Sequence, residues 1–249
     1  MKIRADQVLV ARGLFDSRAR ARAAIEAGLV VADGVVVRKP SDQIPEDAAI
    51  EAQPAHRWLG GGALKLDHAL TLWPVAVEGR AALDVGASTG GFTEVLLDRG
   101  AARVFAVDVG FGQMHETVAA DPRVVNLERT DARNLTMEVI SEPPSLIVCD
   151  ASFISLLKVL PAALALAAPD ADLITLVKPQ FEADGPKAIG KKGVVKDPEA
   201  HAAAVQGVRD WLEGVGWSVQ ATTESPITGG DGNVEFLLWA KRLKQRSAR

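Results

Sequence analysis

Apolar and polar positions alternate in short blocks from residue 81 to residue 240. Mostly apolar runs fit strands at Ala81–Val85, Arg103–Asp108, Val124–Leu127, Leu146–Asp150, Leu173–Lys178, Ser218–Thr222 and Glu235–Ala240. Between them the apolar residues take helical spacing over 92–99, 113–120, 156–167 and 198–214. This order predicts an α/β, Rossmann-like, doubly wound sheet whose last strand enters antiparallel. In such a sheet ligands and chemistry collect at the carboxyl ends of the strands.

The first sixty residues have a different rhythm. Asp6 to Arg12 fits a short helix, and Ser17 is placed to cap a second one that runs to about Ala27 and stops at Gly28. In that second helix Ala21, Ala24 and Ile25 form the apolar side, Arg18 and Arg22 are i,i+4 neighbours, and Arg20 lies off their face. Val30 to Val37 reads as a hairpin turning at Asp33-Gly34, and Ala49–Ala52 as a further short strand. Pro45, Pro54 and Gly60-Gly61-Gly62 then mark a joint, followed by a helix over Leu64–Leu70.

Charge sharpens the division. Residues 1–39 hold eight Lys or Arg against four acids, a local +4 in a chain whose net charge is −4. The chain is therefore not a uniformly basic nucleic-acid binder, but its small first unit offers a clustered basic face suited to RNA phosphates. An ordinary solvated basic face fits the composition equally well. One cysteine, Cys149, lies in an apolar run, so no intramolecular disulfide forms and an inert core thiol is expected. There is no apolar leader and no run long enough to span a membrane, which points to the cytoplasm.

The richest local pattern is Ala82-Leu83-Asp84-Val85-Gly86-Ala87-Ser88-Thr89-Gly90-Gly91, a strand running into a glycine-rich loop and then a helix from Phe92. Such a loop lets backbone approach a nucleotide-like cofactor. Serine at 88 breaks the dinucleotide fingerprint, and Asp84 precedes the first glycine by two residues. That combination suits a cofactor with a positive methionine-like end and no pyrophosphate, and S-adenosylmethionine fits. Asp108, 24 residues after Asp84, is placed to accept bonds from ribose hydroxyls, and Asp131 to bond an adenine amino group. An acid at a strand end can be both held and wet, whereas one in mid-strand is costly to bury. The expected cofactor-binding set is Asp84, Gly86, Ser88, Thr89, Gly90, Gly91, Phe92, Asp108, Val109, Asp131, Ala132 and Asp150.

Two lysines and two carboxylates remain: Lys65, Asp150 and Lys178 near strand or helix ends, and Glu235 at the start of the last strand. Around one pocket they can satisfy each other's charge. A ribose 2′-hydroxyl is a poor nucleophile, and its attack on a sulfonium methyl needs its proton drawn off. A lysine whose ammonium form is disfavoured by burial or by a second cation can act as that base. No metal is required.

These residues lead to a resemblance that covers about Arg4 to Trp239. The matching segments include Ala5 to Gly13 with Ser17-Arg18, Leu83 to Phe92, Ala106 to Gly110, Glu128-Arg129-Thr130, Asp150 to Ser155, Val177 to Glu182, Gly193-Val194-Val195, Ser225-Pro226-Ile227 and Gly232 to Phe236. The chain resembles the TlyA-type rRNA 2′-O-methyltransferases, often called hemolysin A. The resemblance implies an S4-like RNA-binding domain over 1–59, a linker over 60–63 and an FtsJ/RrmJ-like methyltransferase domain with a seven-stranded sheet over 64–249. It places the family's Lys-Asp-Lys-Glu tetrad on Lys65, Asp150, Lys178 and Glu235. It implies cytidines of small- and large-subunit rRNA, within ribosomal subunits, as substrates. Arg4, Arg18, Arg20, Arg22, Lys39, Lys191 and Lys192 are the expected RNA contacts. One departure stands out: the family reads Ser-Arg-Gly-Gly before the first tetrad lysine, and this chain has Gly60-Gly61-Gly62-Ala63, without the arginine.

Gly185 to Lys192 nearly spells a P-loop, but lysine replaces the Ser/Thr and no strand abuts the first glycine. The four histidines lack metal-ligand spacing. Competing functions are a ribosome-assembly factor without chemistry, a base methyltransferase, which has no use for the tetrad, and a hemolysin, for which a span or long basic amphipathic helix is missing. Monomer and homodimer both stay open.

Overall fold

The computed structural model describes residues 2–182, 193–229 and 232–243. The chain divides into two compact units, one ending at Gly61 and one beginning at Gly62.

In the first unit, β1 (Lys2–Arg4) leads into α1 (Ala5–Ala11) and α2 (Arg18–Glu26). The predicted cap is present: the Ser17 side chain accepts from the Arg20 amide, an arrangement worth about 1 kcal/mol. The hairpin of β2 (Val30–Ala32) and β3 (Val35–Val36) turns at Asp33-Gly34, and β5 (Ile50–Ala52) pairs on the other side of β2. Between them β4 (Gln43–Pro45) pairs antiparallel with β1. That small sheet was not expected, because each strand is three residues long and its partner lies about forty residues away. Val8, Leu9, Phe15, Ile25 and Val30 form the core.

The second unit opens with α3 (Gly61–Leu72), so Gly61 to Ala63, expected as linker, form its first turn instead. It continues through β6 (Ala81–Val85), α4 (Gly91–Asp98), β7 (Arg103–Val107), α5 (Glu116–Ala119), β8 (Val124–Leu127), a 3-10 turn (Ala132–Asn134) and β9 (Leu146–Cys149). Then come α6 (Leu156–Val159), α7 (Pro161–Leu166), β10 (Asp172–Val177), α8 (Pro179–Glu182), α9 (Pro198–Gly214), β11 (Trp217–Glu224) and β12 (Phe236–Arg242). The helix expected over 156–167 breaks in two at Pro161, which can begin a helix but cannot donate inside one.

All seven expected strands form one sheet, in the order β11-β12-β10-β9-β6-β7-β8. Six point the same way, and β12 alone runs antiparallel, between β10 and β11. Helices cover both faces, which is why every residue of β9 and β10 is buried. Leu83, Phe105, Ile147 and Leu173 are fully buried in one core, where truncation to Ala would cost about 2–5 kcal/mol each. At the amino ends of the strands, buried Asp172 accepts from Arg80 at 2.8 Å and from the Trp239 indole at 2.9 Å. The order reverses between β6 and β9, so the crevice at their carboxyl ends is the switch point where such sheets bind ligands.

Candidate functional site

The sheet brings the four charged residues together. Asp150 leaves β9 and Lys178 leaves β10 at the same edge. Because β12 is antiparallel and pairs Phe236 with Val177, its entry residue Glu235 arrives beside the exit of β10. Lys65 joins them from α3. Lys65 Nζ lies 2.6 Å from Glu235 Oε2 and 3.7 Å from Asp150 Oδ2, while Lys178 Nζ lies 2.7 Å from Asp150 Oδ1. Lys178 also donates to the Ser152 hydroxyl at 2.8 Å and to the Asp150 carbonyl at 3.3 Å. The four charges thus alternate, with Asp150 offering one oxygen to each lysine. Lys65, Lys178 and Glu235 are buried, and burial of charge at this density is tolerable only because each group is paired. They line a cavity of about 270 Å³ together with Gly62, Ser152 and the loop residues Gly86 to Thr89.

A second cavity of about 570 Å³ shares Gly86, Ser88, Asp150 and Ser152 with the first and continues past Asp108, Val109, Asp131 and Ala132. Its shape follows from the glycine loop. Gly86 has φ +83°, and a Cβ there would stand 2.9 Å from the Ala151 Cα, so only glycine lets the loop pass the start of the Asp150 segment. Asp108 accepts from the Ser88 amide at 2.8 Å and the Gly110 amide at 2.7 Å, which fixes the loop's far side. The Arg133 guanidinium holds Asp131 at 2.6 Å and lowers its carboxyl to about 2, so this acid is ionised at any physiological pH. A cavity of this size, with carboxylates at one side and apolar Val107, Val109 and Ile154 around it, fits a nucleoside with a charged tail.

Asp84 differs from the expectation for a strand-end acid. It is fully buried, accepts from the Thr93 hydroxyl at 2.7 Å, and lines neither cavity. Thr93 sits in the first turn of α4, so the helix that follows the loop covers the acid and excludes water from it. Burial raises its carboxyl from 3.8 to about 7, the Thr93 bond opposing and the Asp150 charge adding. Of the expected cofactor-binding residues, Gly90 caps α4 and lines neither cavity, and Gly91 and Phe92, in its first turn, line only the smaller one.

Sequence reasoning overlooked Ser152, Phe153, Gln113 and Glu182. Ser152 touches Lys178. Phe153 is 88% exposed at φ +66° and packs its ring 5.4 Å from Phe181. Gln113 accepts from the Ser88 hydroxyl. The one available signal was an aromatic and two serines in a short loop after a strand-end acid.

In the first unit Arg4, Arg18 and Arg22 border a hollow of about 350 Å³ over buried Asp6. Asp6 pairs with Arg4 at 3.0 Å and Arg18 at 2.7 Å, and its carboxyl is lowered to about 2, chiefly by the bond from Arg4. Arg20 is not part of this hollow: it is drawn to Asp16 at 2.9 Å and is mostly covered. Lys39 is exposed, and Lys191 and Lys192 lie outside the described residues. Among the described residues no helix is long and apolar enough to cross a membrane, and no group of three or more His, Cys, Asp or Glu is set to hold a metal ion.

Comparison with known proteins agrees with this architecture. The S4 domain family matches residues 3–50, and the FtsJ-like methyltransferase family matches residues 60–242. The chain is 47% identical to the 16S/23S rRNA (cytidine-2′-O)-methyltransferase TlyA of Mycobacterium tuberculosis, over 99% of this chain and 92% of that one. It is 42% identical to YqxC of Bacillus subtilis, described as a candidate rRNA methyltransferase, over 95% and 85%. A solved structure of a candidate hemolysin from Streptococcus thermophilus superposes with a TM-score of 0.77 at 36% identity, covering 99% of this chain and 91% of that chain. The chain belongs to the TlyA family, joining an RNA-binding S4 domain to an FtsJ-like domain, and is an S-adenosylmethionine-dependent methyltransferase.

Proposed function

We propose that the chain methylates the ribose 2′-hydroxyl of cytidine in rRNA, the reaction its relatives' names carry, and that it does so on ribosomal subunits. The observation that carries this reading is the alternating Lys65–Asp150–Lys178–Glu235 cluster in a cavity that adjoins the glycine-loop cavity. Asp108, the loop from Gly86 and the stretch Asp131-Ala132 would hold the cofactor, with Asp84 supporting the loop from beneath rather than touching the ligand. When bound, the cofactor supplies an electrophilic methyl on a sulfonium centre. Lys178 lines the smaller cavity and contacts Asp150 and Ser152, which line both; as the ammonium it steadies the forming alkoxide, and once it has given a proton to solvent its free amine takes that of the 2′-hydroxyl. The Ser152 hydroxyl now bonded to Lys178 can rotate, so an incoming ribose oxygen can take over that contact. Asp150 aims the Lys178 Nζ, and the Lys65–Glu235 pair closes the cavity wall and grips the ribose. In the first unit, Arg4, Arg18 and Arg22 are the better phosphate contacts: all four arginines pair with an acid, but the Arg20 side chain is only 19% exposed, against 38%, 58% and 63% for Arg4, Arg18 and Arg22.

The test is single-turnover methyl transfer to ribosomal subunits with saturating methyl donor, followed by nucleoside analysis. The label should lie on ribose oxygen of cytidine, and Lys178→Ala should lower the rate about 10²–10⁴-fold, the usual worth of general base assistance. A methylated base, or a folded Lys178→Ala within a few-fold of the parent, would remove this mechanism.

A further inference from the structure

Lys178 and Glu182 lie four residues apart, one just before the short helix Pro179–Glu182 and the other its last residue, and both reach across to one segment. Lys178 holds its leading end, at Asp150 and Ser152. Glu182 holds its trailing end: Oε2 accepts from the Ser155 hydroxyl at 2.7 Å, and Oε1 from the Leu156 amide at 2.8 Å. Between the two grips Phe181 packs against Phe153, a residue with φ +66°. Ser155 also caps α6 by accepting from the Leu157 amide. The segment therefore has no long helix or strand of its own to fix it. Its conformation, including the unfavourable backbone at Phe153, is set by contacts from the strip that bears Lys178. Both carboxylate oxygens of Glu182 are used, and burial raises its carboxyl while the Leu156 and Ser155 bonds oppose the rise. A half-buried carboxylate kept on two local donors is costly without a purpose at that place.

We infer that Glu182 is a positioning residue for methyl transfer: it clamps the 150–156 segment so that Asp150 and Ser152 stay in register with Lys178. The inference rests on the reading of Lys178 given above. Glu182 lines neither cavity. Its effect passes through the segment, where a displacement of about 1 Å can cost about 10²-fold in rate.

The test compares Glu182→Ala, Glu182→Gln and Ser155→Ala in the full chain, with Lys178→Ala as reference. Single-turnover transfer is measured with saturating methyl donor and ribosomal subunits. Glu182→Ala should slow transfer about 10- to 100-fold. Glu182→Gln should recover most of that rate, because its amide oxygen still accepts from the Leu156 amide and Ser155 can rotate to accept from its NH₂. Ser155→Ala should show a smaller loss, and the double variant Ser155→Ala/Glu182→Ala should be no slower than Glu182→Ala alone, since the two residues share one grip. Thermal unfolding identifies any variant that fails to fold, in which case Glu182→Gln and Ser155→Ala decide the matter. Glu182→Ala at the parental rate beside an impaired Lys178→Ala would overturn the clamp while leaving the mechanism. So would equal losses in folded Glu182→Gln and Glu182→Ala, or fully additive losses in the double variant. Lys178→Ala at the parental rate would instead overturn the mechanism itself.

Discussion

Replacing Asp84 with Asn removes a buried acid while keeping its shape. Burial raises this carboxyl from 3.8 to about 7. The folded protein thus holds a proton that the unfolded chain releases between about pH 4 and 7. Over that window the unfolded state binds fewer protons, so stability falls as pH rises and the loss is complete above about pH 7. A displacement of roughly three pH units corresponds to at most about 4 kcal/mol. The amide carries no charge to desolvate and can still accept from the Thr93 hydroxyl, which now bonds Asp84 at 2.7 Å. Asp84→Asn should therefore be more stable than the parent at pH 8, with the advantage shrinking steadily toward pH 5. At about 2–4 °C per kcal/mol for a domain of this size, the gain in Tm at pH 8 should be about 5 °C or more. Thermal unfolding of both proteins from pH 5 to pH 9 measures it. A Tm difference independent of pH, or a variant less stable than the parent at pH 8, would refute the reasoning and return Asp84 to an ionised, ligand-facing role.

Three further outcomes are expected. Asp108→Ala removes the acceptor for the Ser88 and Gly110 amides and should weaken S-adenosylmethionine binding by roughly 10-fold or more in calorimetric titration. The pair Arg18→Gln/Arg22→Gln should lower affinity for ribosomal subunits and flatten its salt dependence by about one for each phosphate no longer neutralised, whereas Arg20→Gln, at a largely covered arginine, should leave the salt series almost unchanged. Gly229→Ala would drive a Cβ into Glu235 Oε1. Glu235 must then shift off Lys65, and single-turnover methyl transfer should fall about 10-fold or more at unchanged cofactor affinity.

The sheet was legible because parallel strands buried on both faces read as unbroken apolar runs, and the bounds of Ala81–Val85 and Val124–Leu127 coincide with the expected ones. Helix α5 was expected over 113–120 yet spans only Glu116–Ala119, since Gly110 and Gly112 and the Glu128 carboxylate on the Gln113 amide hold the preceding stretch as a loop. The pairing of β1 with β4 was not legible, because pairing over such distance leaves no periodicity. At the site, Asp150, Lys178 and Glu235 could be picked out by type and by position at strand ends, whereas Lys65 lies within a helix and carries no such positional signal. What could not be read was which acid the next helix covers and which glutamate grips a segment. Asp84 is held by Thr93, and Glu182 by Ser155 and the Leu156 amide, and such contacts depend on three-dimensional approach rather than on spacing.

The placement of β12 bears on the order of assembly during synthesis. It is the last of the described strands to leave the ribosome, yet it lies inside the sheet, pairing with β10 on one side and β11 on the other. Until it emerges, β11 has no neighbour, the edge of β10 stays open, and Lys65 has only Asp150 while its nearer carboxylate lies 170 residues downstream. A nascent chain can build the parallel half of the sheet early, but the charged cavity can close only once β12 is free to insert. Chains terminated before residue 236 would therefore expose a sticky sheet edge rather than retain partial activity.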